Sequence, residues 1–521
     1  MARIRQTKGV CSYCTNEGQP RTSRRNFLIT AAAGLAAAGC NMPLGKPRTG
    51  TPLSPDRKWR TALGRSLRVE HDYEPIVEGA LPADLEGSLY RNGPGLFDRG
   101  GYHKQHLLDG DGMLQCFDFS AGKVRYRNRF VRTGKFIAEE SAGAFIHPTW
   151  TTRAPGGIYA NFGGRIKSQA GVTTLVRDGR LLALDEVLPI YIQDPATLET
   201  IGPFTFPGGV EMPGCKAHTK TDPMSGDWIL AATEYGRSMT LRWLVLAKDG
   251  TVKEHGAVKS PRMTYLHDFM VTERHILFVL HAVEFSPFGM LLGLRSFTDS
   301  LTWMPEQGNL VMVLDRSGSE PVFIEAPAAY MWHSLNAYEQ NGAIVADFVG
   351  YDTPDHFIGR DPAFAAIMRG ADGEAEFPGT IRRYVIDLKT KSLRQETIDA
   401  GSHEFPMIDL RVGPQKHRYG YFACGHVGDW LLDGVARLDM DSGARDEFRF
   451  GPRHFVGEPV FAPRGSSEGD GWLLTQVHSD ETEKNFLAVF DAGSLAAGPV
   501  AQVQLRHHVP LSLHGFWEER S

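Results

Sequence analysis

Short apolar runs follow one another along this chain with turn residues between them, and no long segment carries the period of an amphipathic helix. That pattern predicts strands joined by tight turns, and hence an all-β chain. Lys248-Asp249-Gly250-Thr251 between two apolar runs is a hairpin turn of the Asp-Gly kind, and Ser120-Ala121-Gly122-Lys123 and Asp315-Arg316-Ser317-Gly318 are looser versions. A larger unit also recurs, an apolar residue followed by Asp and a small polar turn. It stands at Leu314-Asp315, Ile386-Asp387, Leu438-Asp439 and Phe490-Asp491, with one interval of 72 positions and two of 52. Four-stranded propeller blades repeat every ~40 to 50 residues, and further apart where a loop is inserted. The recurrence therefore points to blades.

The first 40 residues break this pattern. Ser23-Arg24-Arg25-Asn26-Phe27-Leu28 matches the twin-arginine export motif and runs into the apolar stretch Ile29 to Gly39. That stretch is too short for a membrane span, which needs roughly 20 apolar residues. Residues 1–40 are expected to be a signal peptide read by the twin-arginine export machinery, which makes the protein periplasmic or membrane-anchored. Ala37-Ala38-Gly39-Cys40 resembles a lipoprotein cleavage box, with Ala37 where Leu is usual and Cys40 as the residue to be lipidated. Residues 41–65 read as a polar tether, and 66–521 as one β-propeller domain.

Composition narrows the function classes. The chain of 521 residues is 42% hydrophobic and 22% charged, ordinary for a globular protein with a large core. A net charge of -5 gives no support for a nucleic-acid partner. Of six cysteines, Cys11 and Cys14 precede the twin arginines; Cys116, Cys215 and Cys424 are too scattered for a disulfide framework.

Histidine is the commonest transition-metal ligand, but 19 of them offer too many combinations for spacing alone to choose. Local context singles out four: Ala217-His218-Thr219-Lys220-Thr221-Asp222-Pro223, Leu266-His267-Asp268-Phe269, Trp332-His333-Ser334-Leu335-Asn336 and Leu513-His514-Gly515-Phe516. These resemble, in the same order, the iron-binding histidine motifs of the carotenoid cleavage oxygenases. Tyr90-Arg91-Asn92-Gly93-Pro94-Gly95 and Asp109-Gly110-Asp111-Gly112-Met113 resemble further motifs of that family, so the likeness spans roughly Arg65 to the C-terminus.

The resemblance implies a seven-bladed propeller with a helical and loop dome over an axial iron site. It implies one Fe2+ held by His218, His267, His333 and His514, each on an inner strand, with Glu186, Glu404 and Glu458 orienting the imidazoles. Four neutral imidazoles suit iron, copper, nickel or zinc; a four-histidine zinc would be a closed structural site. The implied reaction is dioxygenase cleavage of a carbon-carbon double bond in a carotenoid or apocarotenoid, with dioxygen as co-substrate and no protein acid or base assigned. A stilbenoid is the alternative substrate. Relatives that cleave stilbenoids commonly carry Lys before the first glutamate, and Asp185 stands there in this chain. Phe285, Phe288, Met290, Leu291, Leu292 and Leu294 are expected to form an apolar patch at the substrate entrance that touches a membrane. A non-catalytic propeller lipoprotein that binds a ligand is the reading from another class.

Overall fold

The computed structural model describes residues 51–52, 59–318, 320–358, 378–428 and 431–520. The twin-arginine motif, Cys40 and the proposed cleavage site lie outside the described residues.

Seven antiparallel sheets make a seven-bladed propeller. Blades one to five are consecutive four-stranded units: Thr173 to Pro203, Lys220 to Lys259, Met270 to Ala326, Tyr330 to Asp399 and Ser402 to Arg449. Blades six and seven are shared between the two ends of the chain. Ile76–Gly79 adds the outer strand to a blade otherwise built from His454 to Gln504. In blade seven the inner strand is the C-terminal Gly515–Glu519, paired with Gly87–Leu96. Pairing distant segments in two neighbouring blades closes the ring.

Each recurring Asp ends the third strand from the axis, in blades three, four, five and six. Its carboxylate accepts backbone N–H groups of the turn that follows, Ser317 for Asp315, Lys389 for Asp387, Asp441 for Asp439 and Gly493 for Asp491. These Asx turns send the chain into the outer strand. The interval of 72 is long because residues 352–379 are inserted between the second and third strands of blade four. All three hairpin turns join adjacent strands, and Ala121 and Gly122 both adopt positive φ, 51° and 70°, as a two-residue turn requires.

A dome of loops and short helices covers one face. Its helices include Gly134–Ala142, Gly157–Asn161 and Phe288–Leu291, and a hairpin pairs Val283–Phe285 with Leu301–Trp303. No helix among the described residues is long and apolar enough to cross a membrane. The Asp-Gly-Asp-Gly motif anchors this dome. Asp109 accepts from Thr151 N and Thr152 Oγ1, and buried Lys135 donates to both Asp111 (2.6 Å) and Glu139 (2.8 Å). Where a tether was expected to run to residue 65, Trp59–Gly64 forms a 3-10 turn with Ala62 and Leu63 buried, so the folded unit begins earlier. The cause is apolar contact: Leu63 packs with Leu107 and Phe455.

Candidate metal centre

Only His333 lies within an inner strand, Tyr330–Gln340 of blade four. His218, His267 and His514, expected on inner strands too, stand in the segments that lead into Lys220–Thr221, Met270–Val271 and Gly515–Glu519 of blades two, three and seven, and all four converge at the axis. One ring nitrogen from each lies within 4.8 Å of all the others. The Nδ1–H of His267 donates to Glu186 (2.5 Å), that of His333 to Glu404 (2.6 Å) and that of His514 to Glu458 (2.8 Å). A proton held on Nδ1 leaves Nε2 as a bare lone pair, so these rings turn acceptors toward one another. His218 Nε2 and His267 Nε2 are 3.1 Å apart, and the buried His333 Nε2 has no hydrogen-bond partner. Lone pairs facing each other are unfavourable until a cation sits among them, and metal–nitrogen bonds of ~2.0–2.1 Å suit this spacing. The donor set therefore fits a transition metal. Burial and the neighbouring imidazoles push His218 well below the ordinary imidazole range, and His218 lines the cavity along the axis.

The glutamates are held in turn. Burial raises Glu186, but Lys216 and His267 outweigh it and keep the carboxyl below its ordinary value. Lys216 Nζ donates to Glu186 (2.6 Å) and lies 5.3 Å from the Tyr265 ring centre, while Tyr265 OH donates to the same carboxylate (2.7 Å). Burial opposes and His333 favours the ionised Glu404, which also ends below its ordinary value. The backbone N–H of Phe405 donates to Glu404, and Phe405 adopts φ 53° where its strand shifts register. Positive φ is strained for an aromatic residue, and here it stacks the Phe405 ring on His333. Glu458 accepts from Gly515 N (2.6 Å) as well as His514. Buried Arg91 donates to Glu458 O, Ser512 Oγ and Leu513 O, and so fixes the backbone on both sides of the His514–Glu458 pair. This is what the Tyr-Arg-Asn-Gly-Pro-Gly motif does. Lys216, Tyr265, Arg91 and Phe405 were not assigned roles from the sequence; the available signals were the Tyr-Arg-Asn-Gly-Pro-Gly motif for Arg91 and the adjacent Glu404 for Phe405.

Two cavities meet at the histidines. On the dome side, about 110 Å³ is lined by His267, His333, His514, Trp332, Phe405 and apolar residues such as Leu108, Val172, Phe455 and Leu513. Along the propeller axis, about 590 Å³ is lined by the inner strands and by mixed polar and apolar side chains. Asp185 lines neither. It accepts from the backbone of Gln169, Ala170 and Val187, and burial pushes its carboxyl up to about 6. In this chain that position is a structural acid behind the site.

The match to the family described as retinal pigment epithelial membrane protein covers residues 64–519. The chain belongs to that family, the carotenoid cleavage oxygenases. It is 31% identical to the apocarotenoid-15,15'-oxygenase of Synechocystis over 85% of this chain and 92% of that protein. It is 28% identical to lignostilbene-alpha,beta-dioxygenase isozyme III of Sphingomonas paucimobilis over 90% of this chain and 98% of that protein. A cobalt-substituted Synechocystis apocarotenoid oxygenase superposes with a TM-score of 0.83 at 29% identity, covering 89% of this chain and 98% of the other. Carotenoid cleavage oxygenases are iron-dependent, and the relatives named here are oxygenases.

The expected entrance patch is partly redrawn. Phe285 is 3% exposed and packs against Tyr235 and Phe297, because its strand turns it into the core beneath the dome. Phe288 and Leu291 are exposed at 53% and 47%, with Met290, Leu292 and Leu294 half-buried. The adjoining helix Gly157–Asn161 and the residue after it contribute Tyr159, 95% exposed, and Phe162, 58% exposed, and Gly163 N donates to Leu291 O. One apolar surface thus forms from two segments far apart in sequence.

Proposed function

We propose that His218, His267, His333 and His514 hold one Fe2+, with Glu186, Glu404 and Glu458 orienting three of the rings, and that the enzyme cleaves a carotenoid or apocarotenoid to two carbonyl products. The observation that carries this reading is the convergence of four imidazole nitrogens, three of the rings backed by buried carboxylates, beside an apolar cavity. A bound ferrous ion supplies the redox chemistry by which dioxygen reacts with an alkene. The protein's own residues do the rest by placement. Trp332 and Phe405 confine the alkene over the histidines, and the leucines, Val172 and Phe455 keep water from it. Trp332 is itself held by its indole N–H, which donates to His356 Nε2 (2.7 Å).

Similarity to the Synechocystis apocarotenoid oxygenase supports the polyene, and similarity to the lignostilbene dioxygenase keeps a stilbenoid as second substrate class. Asp185 offers no cation to a phenol oxygen. We propose further that the surface of Tyr159, Phe162, Phe288 and Leu291 dips into a bilayer from which the substrate enters. Export by the twin-arginine route, with Cys40 lipidated, would hold that surface at a membrane; the support is the motif around Arg24-Arg25 and the box ending at Cys40.

The test is anaerobic purification with iron analysis, then oxygen uptake and product chromatography with a carotenoid, an apocarotenal and a stilbene. Iron at one per chain and aldehyde products from a polyene are expected. No iron and no oxygen uptake would favour a ligand-binding propeller instead.

A further inference from the structure

We infer that Asp268, braced by Lys220, is a positioning residue that aims His333 at the metal by holding a distortion in its strand. The inference rests on the iron reading above. Strand Tyr330–Gln340 does not pair evenly with Ala343–Tyr351: Met331 faces Gly350, Ser334 faces Phe348 and Asn336 faces Asp347, so the histidine strand carries an extra residue twice within five positions. Bulges re-aim side chains and leave backbone groups unpaired, so something must hold them. At this bulge the Ser334 N–H donates to Asp268 Oδ2 (2.9 Å), and the Ser334 hydroxyl donates to the same oxygen (2.6 Å). Asp268 follows His267 directly and stands two residues before Met270–Val271, the inner strand of blade three.

Asp268 is buried, and a lone carboxylate there would be costly. Lys220 offsets it, with Nζ 2.9 Å from Oδ1, and donates to Ser334 Oγ (3.0 Å) as well. Lys220 follows His218 by two positions in blade two, and Ser334 follows His333 in blade four. One carboxylate therefore ties the inner strands of three blades together beside three of the four histidines. Glu404 orients the His333 ring; Asp268 holds the backbone that carries it.

Cobalt(II) titration of chelator-treated, metal-free enzyme tests this, read by visible absorption. Asp268→Ala, Asp268→Asn and Lys220→Met should each bind cobalt ~10–100-fold more weakly, the range for loss of groups that support metal ligands. Each should also alter the cobalt spectrum, and Lys220→Arg should restore the wild-type spectrum. If Asp268→Ala does not fold, Asp268→Asn and Lys220→Met, which keep the side-chain volume, decide the matter. Wild-type affinity and spectrum in both of these would overturn the inference alone. Failure of the wild type to bind either cobalt(II) or iron(II) would overturn the iron reading, and this inference with it.

Discussion

Glu404 sits directly behind His333, its Oε2 2.6 Å from Nδ1, and the same oxygen takes the N–H of the strained Phe405. One carboxylate thus sets the tautomer of a metal-facing ring and the position of an aromatic wall of the cavity. Glu404→Ala should lower iron affinity by ~10–100-fold and activity with it. Iron retained at one per chain after dialysis against chelator, in a folded variant, would contradict this.

His333→Ala should lose iron and alkene cleavage together, because only three imidazoles would remain around the centre. Metal analysis and oxygen uptake on one preparation settle it, and cleavage surviving the substitution would show that the ligand set is wrong.

Arg91 is fully buried and donates to three groups on the segments carrying Glu458 and His514. Arg91→Met should cost ~1–3 kcal/mol for each acceptor left without a partner. It should therefore lower the melting temperature and the iron content. Arg91→Lys should not restore either, since one ammonium cannot reproduce the guanidinium fork. A melting temperature equal to wild type would refute this.

Burial holds His281, His417 and His507 at about 4 rather than 6.5. In the unfolded chain each titrates near 6.5, so between about pH 6.5 and 4 the unfolded state binds more protons. Their contribution to stability is complete above that window and is lost as pH falls through it. Calorimetry across the window should show a falling melting temperature, with a shallower slope for His417→Gln. An unchanged slope in that variant would exclude His417 as a contributor.

Phe288→Asp combined with Leu291→Asp should reduce sedimentation with phospholipid vesicles several-fold while leaving iron content unchanged, because both side chains point outward and neither lines the cavities at the histidines. Unaltered vesicle binding would remove this surface as the membrane contact.

Much of this protein was determined locally. Strand-turn alternation, the Asp residues that close third strands, and the Asp-Gly turn at Asp249-Gly250 act through neighbours a few positions away, so they are legible in the chain. The four histidines were legible only through their motif contexts, since no local rule separates them from the other 15.

What tertiary structure alone decided is pairing across blades. Glu186 leaves blade one to reach His267 in blade three, and Lys216 joins it from the segment before blade two. Ring closure by Gly515–Glu519 depends on a partner more than 400 positions earlier. Phe285 and Phe288 look alike in sequence, yet one is core and the other surface, because a short strand and the helix after it turn them in opposite directions. Hydrogen-bond geometry between distant segments is a property of the closed ring, and local patterning carries no record of which carboxylate will stand behind which imidazole.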